Sequence, residues 1–213
     1  MRTEELVSLL ATGTEAIDMR PALRRFRIAV LAGAGVAMLL MSAWLGVRST
    51  LVRDFSAPLF WIKETFCVAL SIAGLLAVIR LGRPGARVGP IWLGLVAPVI
   101  AMWLLAALGL LSADPDARAG LILGQTARVC PARIALISTP LFVAMLAALR
   151  QLAPTHLPLS GAAVGLAAGS MAALVYSLHC PELQPPFLGI WYVLGILIPT
   201  AIGAALGPRL LRW

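Results

Sequence analysis

The sequence contains few charged residues. Asp, Glu, Lys and Arg make up 12% of its 213 residues, about half the share typical of a soluble domain, while 61% of the residues are hydrophobic. A chain of this composition has too few polar side chains to cover its own surface in water. The shortage of charge excludes a soluble globule, including a soluble protein that binds nucleic acid directly, despite the net charge of +8. It indicates an integral membrane protein.

Residues of the kind used in catalysis are also scarce. The sequence has no HExxH, GxSxG, Walker glycine loop or CxxC motif. Two histidines, His156 and His179, are too few for a histidine-rich metal or haem centre. We therefore expect a protein that is not an enzyme and holds no resident cofactor. A thiol oxidoreductase coupled to quinone is the nearest enzymatic alternative, although such enzymes usually carry closely spaced cysteines.

Long hydrophobic runs are abundant. A helix needs about 20 apolar residues to cross the hydrocarbon core of a bilayer, and six runs approach or reach that length. They are Ile28–Val47, Leu59–Ile79, Ile91–Leu111, Ile134–Leu149, Leu159–Leu178 and Leu188–Gly207. The sequence thus predicts an all-α membrane protein with a six-transmembrane-helix bundle at residues 28–213, preceded by a cytoplasmic N-terminal segment at residues 1–27.

The distribution of basic residues predicts the orientation of these helices. If the N-terminus is cytoplasmic, 11 of the 17 Lys and Arg residues fall on the cytoplasmic side and 6 on the outer side. The densest cluster, at residues 24–27, directly precedes the first run. The positive-inside rule therefore predicts that both termini lie in the cytoplasm.

Two ionisable residues interrupt the second hydrophobic run. Lys63 and Glu64 are adjacent and lie close to the predicted outer end of that run. Ionisable residues inside a span can mark an ion or proton pathway, so a small transporter or channel is an alternative function. Near the interface, however, a long side chain can reach the headgroups by snorkelling, and this is the interpretation that we favour from the sequence.

The three cysteines differ in their predicted positions. Cys67 lies within the second run and is expected to be a small buried apolar residue. Cys130 is placed at the outer mouth of the fourth span and Cys180 in the last outer loop, so both would face an oxidising compartment in a Gram-negative bacterium. Such a pair can form a disulfide or bind a soft metal ion transiently. A metal site would recruit His179 and Glu182, and a static structural disulfide is the alternative.

Residues 1–19 of the N-terminal segment have an acidic and apolar character. Leu6, Leu9 and Leu10 recur at helical spacing and form an apolar stripe, with Glu4 and Glu5 in the first turn. A helix designed to lie on anionic lipid would carry Lys and Arg instead. The carboxylates favour a basic protein partner with an apolar groove, although a tail without a partner or a helix folded onto the bundle would give the same pattern.

Several of these features together resemble one known family. They are Thr-Glu-Glu-Leu-Val-Ser-Leu-Leu-Ala at residues 3–11, the outer Cys130, Cys180-Pro181-Glu182, Phe187, Trp191-Tyr192 and the C-terminal Gly-Pro-Arg-Leu-Leu-Arg-Trp at residues 207–213. The chain resembles the NrsF-type family of six-span anti-sigma factors of the bacterial inner membrane, which bind extracytoplasmic-function (ECF) sigma factors. The resemblance extends over nearly the full length.

The resemblance implies a regulatory role in transcription and stress response. By that resemblance, the cytoplasmic segment would hold an ECF-type sigma factor at the membrane. Leu6, Leu9 and Leu10 would be its apolar anchors, and Glu4 and Glu5 would pair with basic sigma-factor residues. Cys130 and Cys180 match the paired outer cysteines that the family uses to sense metal or oxidative stress, and a change at these thiols would release the sigma factor.

Overall fold

The protein is built entirely of helices in the part of the chain that the structure describes. The computed structural model describes Glu5 and residues 20–83, 85, 89–152 and 154–212. In chain order the helices of residues 20–212 are α1 (Arg20–Trp44), α2 (Leu51–Asp54), α3 (Pro58–Leu81), α4 (Ile91–Ser112), α5 (Pro115–Leu123), α6 (Cys130–Arg150), α7 (Leu157–Ser177) and α8 (Pro185–Leu210). Helix α8 contains a π-helical turn at Leu188–Tyr192.

Six of these helices are long and apolar enough to cross a membrane: α1, α3, α4, α6, α7 and α8. Each contains one of the six predicted hydrophobic runs or nearly all of it, so the predicted bundle of six transmembrane helices is confirmed. At 1.5 Å per residue, the shortest of them, with 21 residues, is about 31 Å long, which matches the thickness of the hydrocarbon core.

Most of these helices begin earlier than the hydrophobic run inside them. Helix α1 starts at Arg20 rather than at Ile28, and α6 starts at Cys130 rather than at Ile134. Proline explains the early start of α6, because Pro131 lies in its first turn, where the missing N–H group is not needed. These extra residues give α6 its full length of 21 residues.

The closest helix packing is between α7 and α8, where glycines remove the side chains between two backbones. A Cβ atom at Gly161 would collide with the carbonyl oxygen of Gly203, and one at Gly165 would collide with that of Pro199. The small-xxx-small spacings Gly165/Gly169 and Gly203/Gly207 predict such close packing within the monomer, and the structure confirms it. Helix α7 also packs against α3 and α6, which makes it the most buried spanning helix.

The alternating direction of the spanning helices gives the bundle two different ends. We call the end that holds Arg20 and Leu210 the terminal end, and the end that holds Cys130 and Cys180 the cysteine end. At the terminal end, Leu23 and Phe26 of α1 line a small apolar pocket together with Val78 and Ile79 of α3. The start of α1 and the far end of α3 therefore border one apolar pocket.

Candidate functional site

The structure brings Cys130 and Cys180 together at the cysteine end. Cys130 is the first residue of α6, and Cys180 lies in the segment that connects α7 to α8. Their thiols are hydrogen-bond partners, both are free, and each residue has 0% of its surface exposed. The sequence predicted thiols that face the outer compartment, whereas the structure buries them beneath the connecting segments, because neighbouring loops fold over the helix ends.

The surroundings of the Cys180 sulfur make the two thiols unequal. The hydrogen bond with Cys130 lowers the pKa of the Cys180 thiol below its ordinary value, burial opposes this shift, and the nearby Lys63 ammonium adds to it. The hydroxyl Oγ1 of Thr126 lies 3.8 Å from the Cys180 sulfur. Cys180 is therefore the member of the pair that carries the greater thiolate character.

Lys63 is fully buried directly beneath the segment that carries Cys180. Its Nζ atom donates hydrogen bonds to the carbonyl oxygens of Cys180 at 2.9 Å and Glu182 at 3.0 Å, with that of Ser177 at 3.5 Å. The same atom lies 5.2 Å from the ring centroid of Tyr192, within cation–π distance. The snorkelling interpretation was therefore wrong: the loop above Lys63 supplies polar partners, so the side chain has no need to reach the interface.

Arg48 holds the same peptide group from another direction. Its guanidinium donates a hydrogen bond to the Cys180 carbonyl oxygen, and its Nε atom lies 3.2 Å from Oδ2 of Asp54. The backbone N–H of Arg48 also donates to the carbonyl of Leu178 at 3.2 Å. The Cys180 carbonyl thus accepts from two cationic side chains, which fixes the backbone that carries the thiol.

His179 connects the segment to α6 and to the end of α1. Its Nδ1 atom lies 2.9 Å from the carbonyl oxygen of Gly46, and Nη1 of Arg133 lies 3.4 Å from its Nε2 atom. Because a carbonyl only accepts and a guanidinium only donates, Nδ1 carries the proton and Nε2 accepts. Both ring nitrogens of His179 are therefore occupied by these partners.

Glu182 connects the segment to the turn that precedes α6. Its Oε1 atom accepts a hydrogen bond of 2.7 Å from the backbone N–H of Gln125. The carboxylate packs against Gly124, which has a φ of +50°, and a Cβ atom there would lie 2.7 Å from the carboxyl carbon. Glycine at position 124 thus supplies both the backbone conformation and the space that Glu182 requires.

The contacts of His179 and Glu182 concern the predicted metal site, because both residues are predicted to be its ligands. The described residues contain no group of three or more His, Cys, Asp or Glu side chains arranged to hold a metal ion. His179 and Glu182 would have to leave their present partners to join the thiols as ligands. The two sulfurs of Cys130 and Cys180 alone form a donor pair that suits a soft, thiophilic cation, so metal binding at this pair stays a prediction.

Two further predictions concern residues away from the pair. Cys67 is fully buried in α3, as expected for a small apolar residue. Glu5 is described and exposed. The other predicted sigma-binding residues, Glu4, Leu6, Leu9 and Leu10, lie outside the described residues, so their role stays a prediction.

Sequence reasoning missed several residues that build the site. From the sequence, Arg48 and Arg133 contribute only to the count of basic residues. Thr126, Gly124 and Tyr192 are not predicted to be site residues. Their contacts join segments that are far apart in the chain, and the local sequence around each residue does not indicate such contacts. Lys63 could have been identified as a site residue, because a lysine inside a hydrophobic run is costly in free energy without a polar partner.

The chain is similar to known proteins over nearly all or all of its length. A family profile described as NrsF, negative regulator of sigma F, matches residues 10–213. A protein of Azospira oryzae named probable anti-sigma-F factor NrsF is 46% identical over 213 residues, which is 100% of both chains. A protein of Caulobacter vibrioides named anti-sigma-F factor NrsF is 40% identical over 221 residues, again covering 100% of both chains. No solved structure matches the chain.

Proposed function

Because the chain belongs to the NrsF family of anti-sigma-F factors, we propose that it sequesters an ECF-type sigma factor at the bacterial inner membrane and releases it when Cys130 and Cys180 react. The observation that carries this proposal is the contact between these two thiols. They are 50 positions apart in the sequence, yet they meet in one buried site at the end of the bundle opposite the termini. A shared site of this kind suits a chemical sensor.

The N-terminal segment is the proposed binding element for the sigma factor. Its apolar stripe of Leu6, Leu9 and Leu10 would enter a groove on the sigma factor, and Glu4 and Glu5 would pair with basic residues beside that groove. Proteins that bind DNA or core polymerase present basic surfaces. An acidic and apolar peptide therefore competes for such a surface and keeps the sigma factor from RNA polymerase.

The proposed orientation places the two functional parts on opposite sides of the membrane. Six spans put both termini on one side, and the excess of Lys and Arg on that side supports a cytoplasmic position. The terminal end would then contact the cytoplasmic sigma factor. The cysteine end would face the periplasm, where oxidants and metal ions enter.

The reaction at the thiols takes one of two forms. An oxidant that accepts two electrons and two protons converts the two thiols into a disulfide between Cys130 and Cys180. A soft divalent cation such as Cd²⁺ displaces two protons and is held by the two thiolates. Either change alters the spacing of the sulfurs and hence the position of the segment that connects α7 to α8.

The contact between the thiols also supports a second candidate function, the thiol oxidoreductase. Two adjacent thiols, one with greater thiolate character, are the arrangement that disulfide exchange requires. Purified protein that oxidises thiols with many turnovers in the presence of quinone would favour this candidate. Stoichiometric oxidation without turnover would favour the sensor. The transporter alternative loses its main support, because the Lys63 amine is held by backbone carbonyls.

Co-purification with a sigma factor of the sigma-F type tests the proposed function. We expect the full-length chain in membranes to retain the sigma factor, and we expect Leu6→Asp or Leu10→Asp to abolish retention because a carboxylate would enter an apolar groove. Ser8→Asp is the matched control, since position 8 lies on the opposite face of the predicted helix. Normal retention by both leucine variants, with equal membrane levels, would contradict the proposed binding element.

A further inference from the structure

The buried ammonium of Lys63 is stabilised by an unusual set of partners. Among the described residues, the ion pair found at this end joins Arg48 to Asp54, and Lys63 has no carboxylate within salt-bridge distance. Backbone carbonyls surround the Nζ atom instead, and the Lys63 side chain has 0% of its surface exposed. A buried charge is costly unless it is hydrogen-bonded. The stability of Lys63 in this position therefore depends on where those carbonyls lie.

The two nearest carbonyls belong to the same short segment as the reactive thiol. Cys180 and Glu182 supply them, and Cys180 also carries the sulfur that contacts Cys130. A displacement of this segment toward α6 would remove both of these partners of Lys63 together and leave only the longer contact with Ser177 at the end of α7. Helix α3 would then have to follow the segment, or the ammonium would stay buried without these two hydrogen bonds.

Helix α3 connects Lys63 to the terminal end of the bundle. Val78 lies 15 residues after Lys63, a distance of about 22 Å along the helix axis. There, Val78 and Ile79 share an apolar pocket with Leu23 and Phe26 of α1. Residue 20 at the start of α1 directly follows the acidic and apolar residues 1–19.

We propose that Lys63 is the positioning residue that couples the thiol pair to α3, so that a change at Cys180 is transmitted along this helix to the start of α1. The inference rests on the proposed function, since it concerns how the sensor releases its sigma factor. Lys63 lowers the pKa of the Cys180 thiol but forms no covalent bond in the thiol chemistry, and it does not touch the sigma factor. Its role is to make α3 move with the segment that carries Cys180.

The test separates thiol chemistry from release in the full-length protein bound to its sigma factor in membranes. Diamide serves as the oxidant: its azo bond takes up two electrons and two protons and becomes a hydrazine as the two thiols become a disulfide. The extent of the disulfide between Cys130 and Cys180 is measured by mass spectrometry. The sigma factor that remains on the membranes is measured in the same samples.

We expect Lys63→Met to retain the sigma factor before oxidation and to form the disulfide more slowly than the wild type, because loss of the ammonium raises the pKa of the Cys180 thiol. Diamide treatment of the variant is therefore continued until its disulfide content equals that of the wild type. Release at equal disulfide content should fall by at least about fivefold, the lower range of allosteric coupling. Arg53→Met is the matched control, because it removes an exposed cation from the same end and should release like the wild type. Release by Lys63→Met equal to that of the wild type would overturn the inference and leave the proposed function intact.

A measurement on the wild type alone keeps the inference testable if Lys63→Met fails to insert. Hydrogen–deuterium exchange is followed before and after disulfide formation. We expect faster exchange at residues 22–27 and 76–82, where α1 and α3 share their pocket. Unchanged exchange there in protein that has released its sigma factor would overturn the role of α3. A wild type that forms the disulfide and keeps its sigma factor would contradict the proposed sensor itself.

Discussion

Cys180 contributes two different groups to the site, and this is the most informative feature at the scale of single residues. Its sulfur contacts Cys130, while its carbonyl oxygen accepts hydrogen bonds from Lys63 and Arg48. A reaction at the Cys180 sulfur therefore takes place only a few covalent bonds away from the carbonyl group that binds Lys63 of α3. Cys130 has no comparable position, because it begins a helix whose backbone is already hydrogen-bonded.

Substitution of either cysteine should disable the shared site. We expect Cys130→Ser and Cys180→Ser to give the same loss of sigma-factor release as the double variant, because one remaining thiol forms neither an internal disulfide nor a two-sulfur metal site. Reporter expression from a sigma-dependent promoter, measured with and without Cd²⁺ or diamide, checks this. Cys67→Ser is the control and should respond normally. Additive, partial defects of the two single variants would show that the thiols act independently.

The position of the thiols could be predicted from the sequence only in part. Because successive spans cross the membrane in opposite directions, the sequence predicts that Cys130 and Cys180 lie at the same end of the bundle. A contact between the two thiols is one of the possibilities that this placement allows. Their burial and the partners of Lys63 could not be predicted, because they depend on how the segment at residues 178–184 folds over the helix ends. That fold is set by contacts of His179 and Glu182 with distant parts of the chain.

At the scale of helices, glycine residues determine how closely α7 and α8 pack. The backbones of α7 and α8 approach so closely that Gly161, Gly165 and Gly203 leave no room for a Cβ atom. Such contact replaces the hydrophobic effect as the source of packing energy between helices in lipid. It also gives α3 and α6, which both pack on α7, a rigid central support.

A valine at the α7–α8 contact should separate these helices. We expect Gly161→Val or Gly165→Val to destabilise the protein by about 3 kcal/mol or more, at the upper end of the cost of overpacking, since backbone atoms rather than flexible side chains would have to move. Thermal unfolding in detergent measures the effect. Gly35→Val in α1 is the control, because no atom lies within 4 Å of its Cβ position. Equal melting temperatures for all variants would show that the contact is not important for stability.

The existence of the helices could be predicted more accurately than their ends. Each span is a long run of apolar residues, so hydropathy alone identified all six. The ends were less accurate because arginine and proline are compatible with the first turns of a helix but interrupt a hydrophobic run. Helices α1 and α6 both begin with such residues, at Arg20 and at Pro131.

The two ends of the whole molecule differ in chemical character. The cysteine end holds a buried pair of thiols beneath a segment that is hydrogen-bonded to distant parts of the chain, while the terminal end follows the acidic and apolar residues 1–19 in the sequence. The proposed orientation assigns the first end to the periplasm and the second to the cytoplasm. The sequence predicted this division from the spans and from the positions of Lys and Arg.

Labelling in intact cells tests the orientation. In a background without the three native cysteines, we expect Ser56→Cys at the cysteine end to react with a membrane-impermeant maleimide. Gly85→Cys, on the connection between α3 and α4, should react only after the cells are lysed. Both positions are exposed, so burial does not affect the comparison. Labelling of Gly85→Cys but not Ser56→Cys in intact cells would reverse the orientation.

Release of the sigma factor from isolated membranes shows whether disulfide formation between Cys130 and Cys180 is what frees it. Membranes that carry the full-length chain and its sigma factor are treated with diamide, and the sigma factor is quantified in the soluble fraction. We expect retention before treatment, release as the disulfide forms, and continued retention by the variant with Cys130→Ser and Cys180→Ser. Equal release from the wild type and the double variant would contradict this expectation.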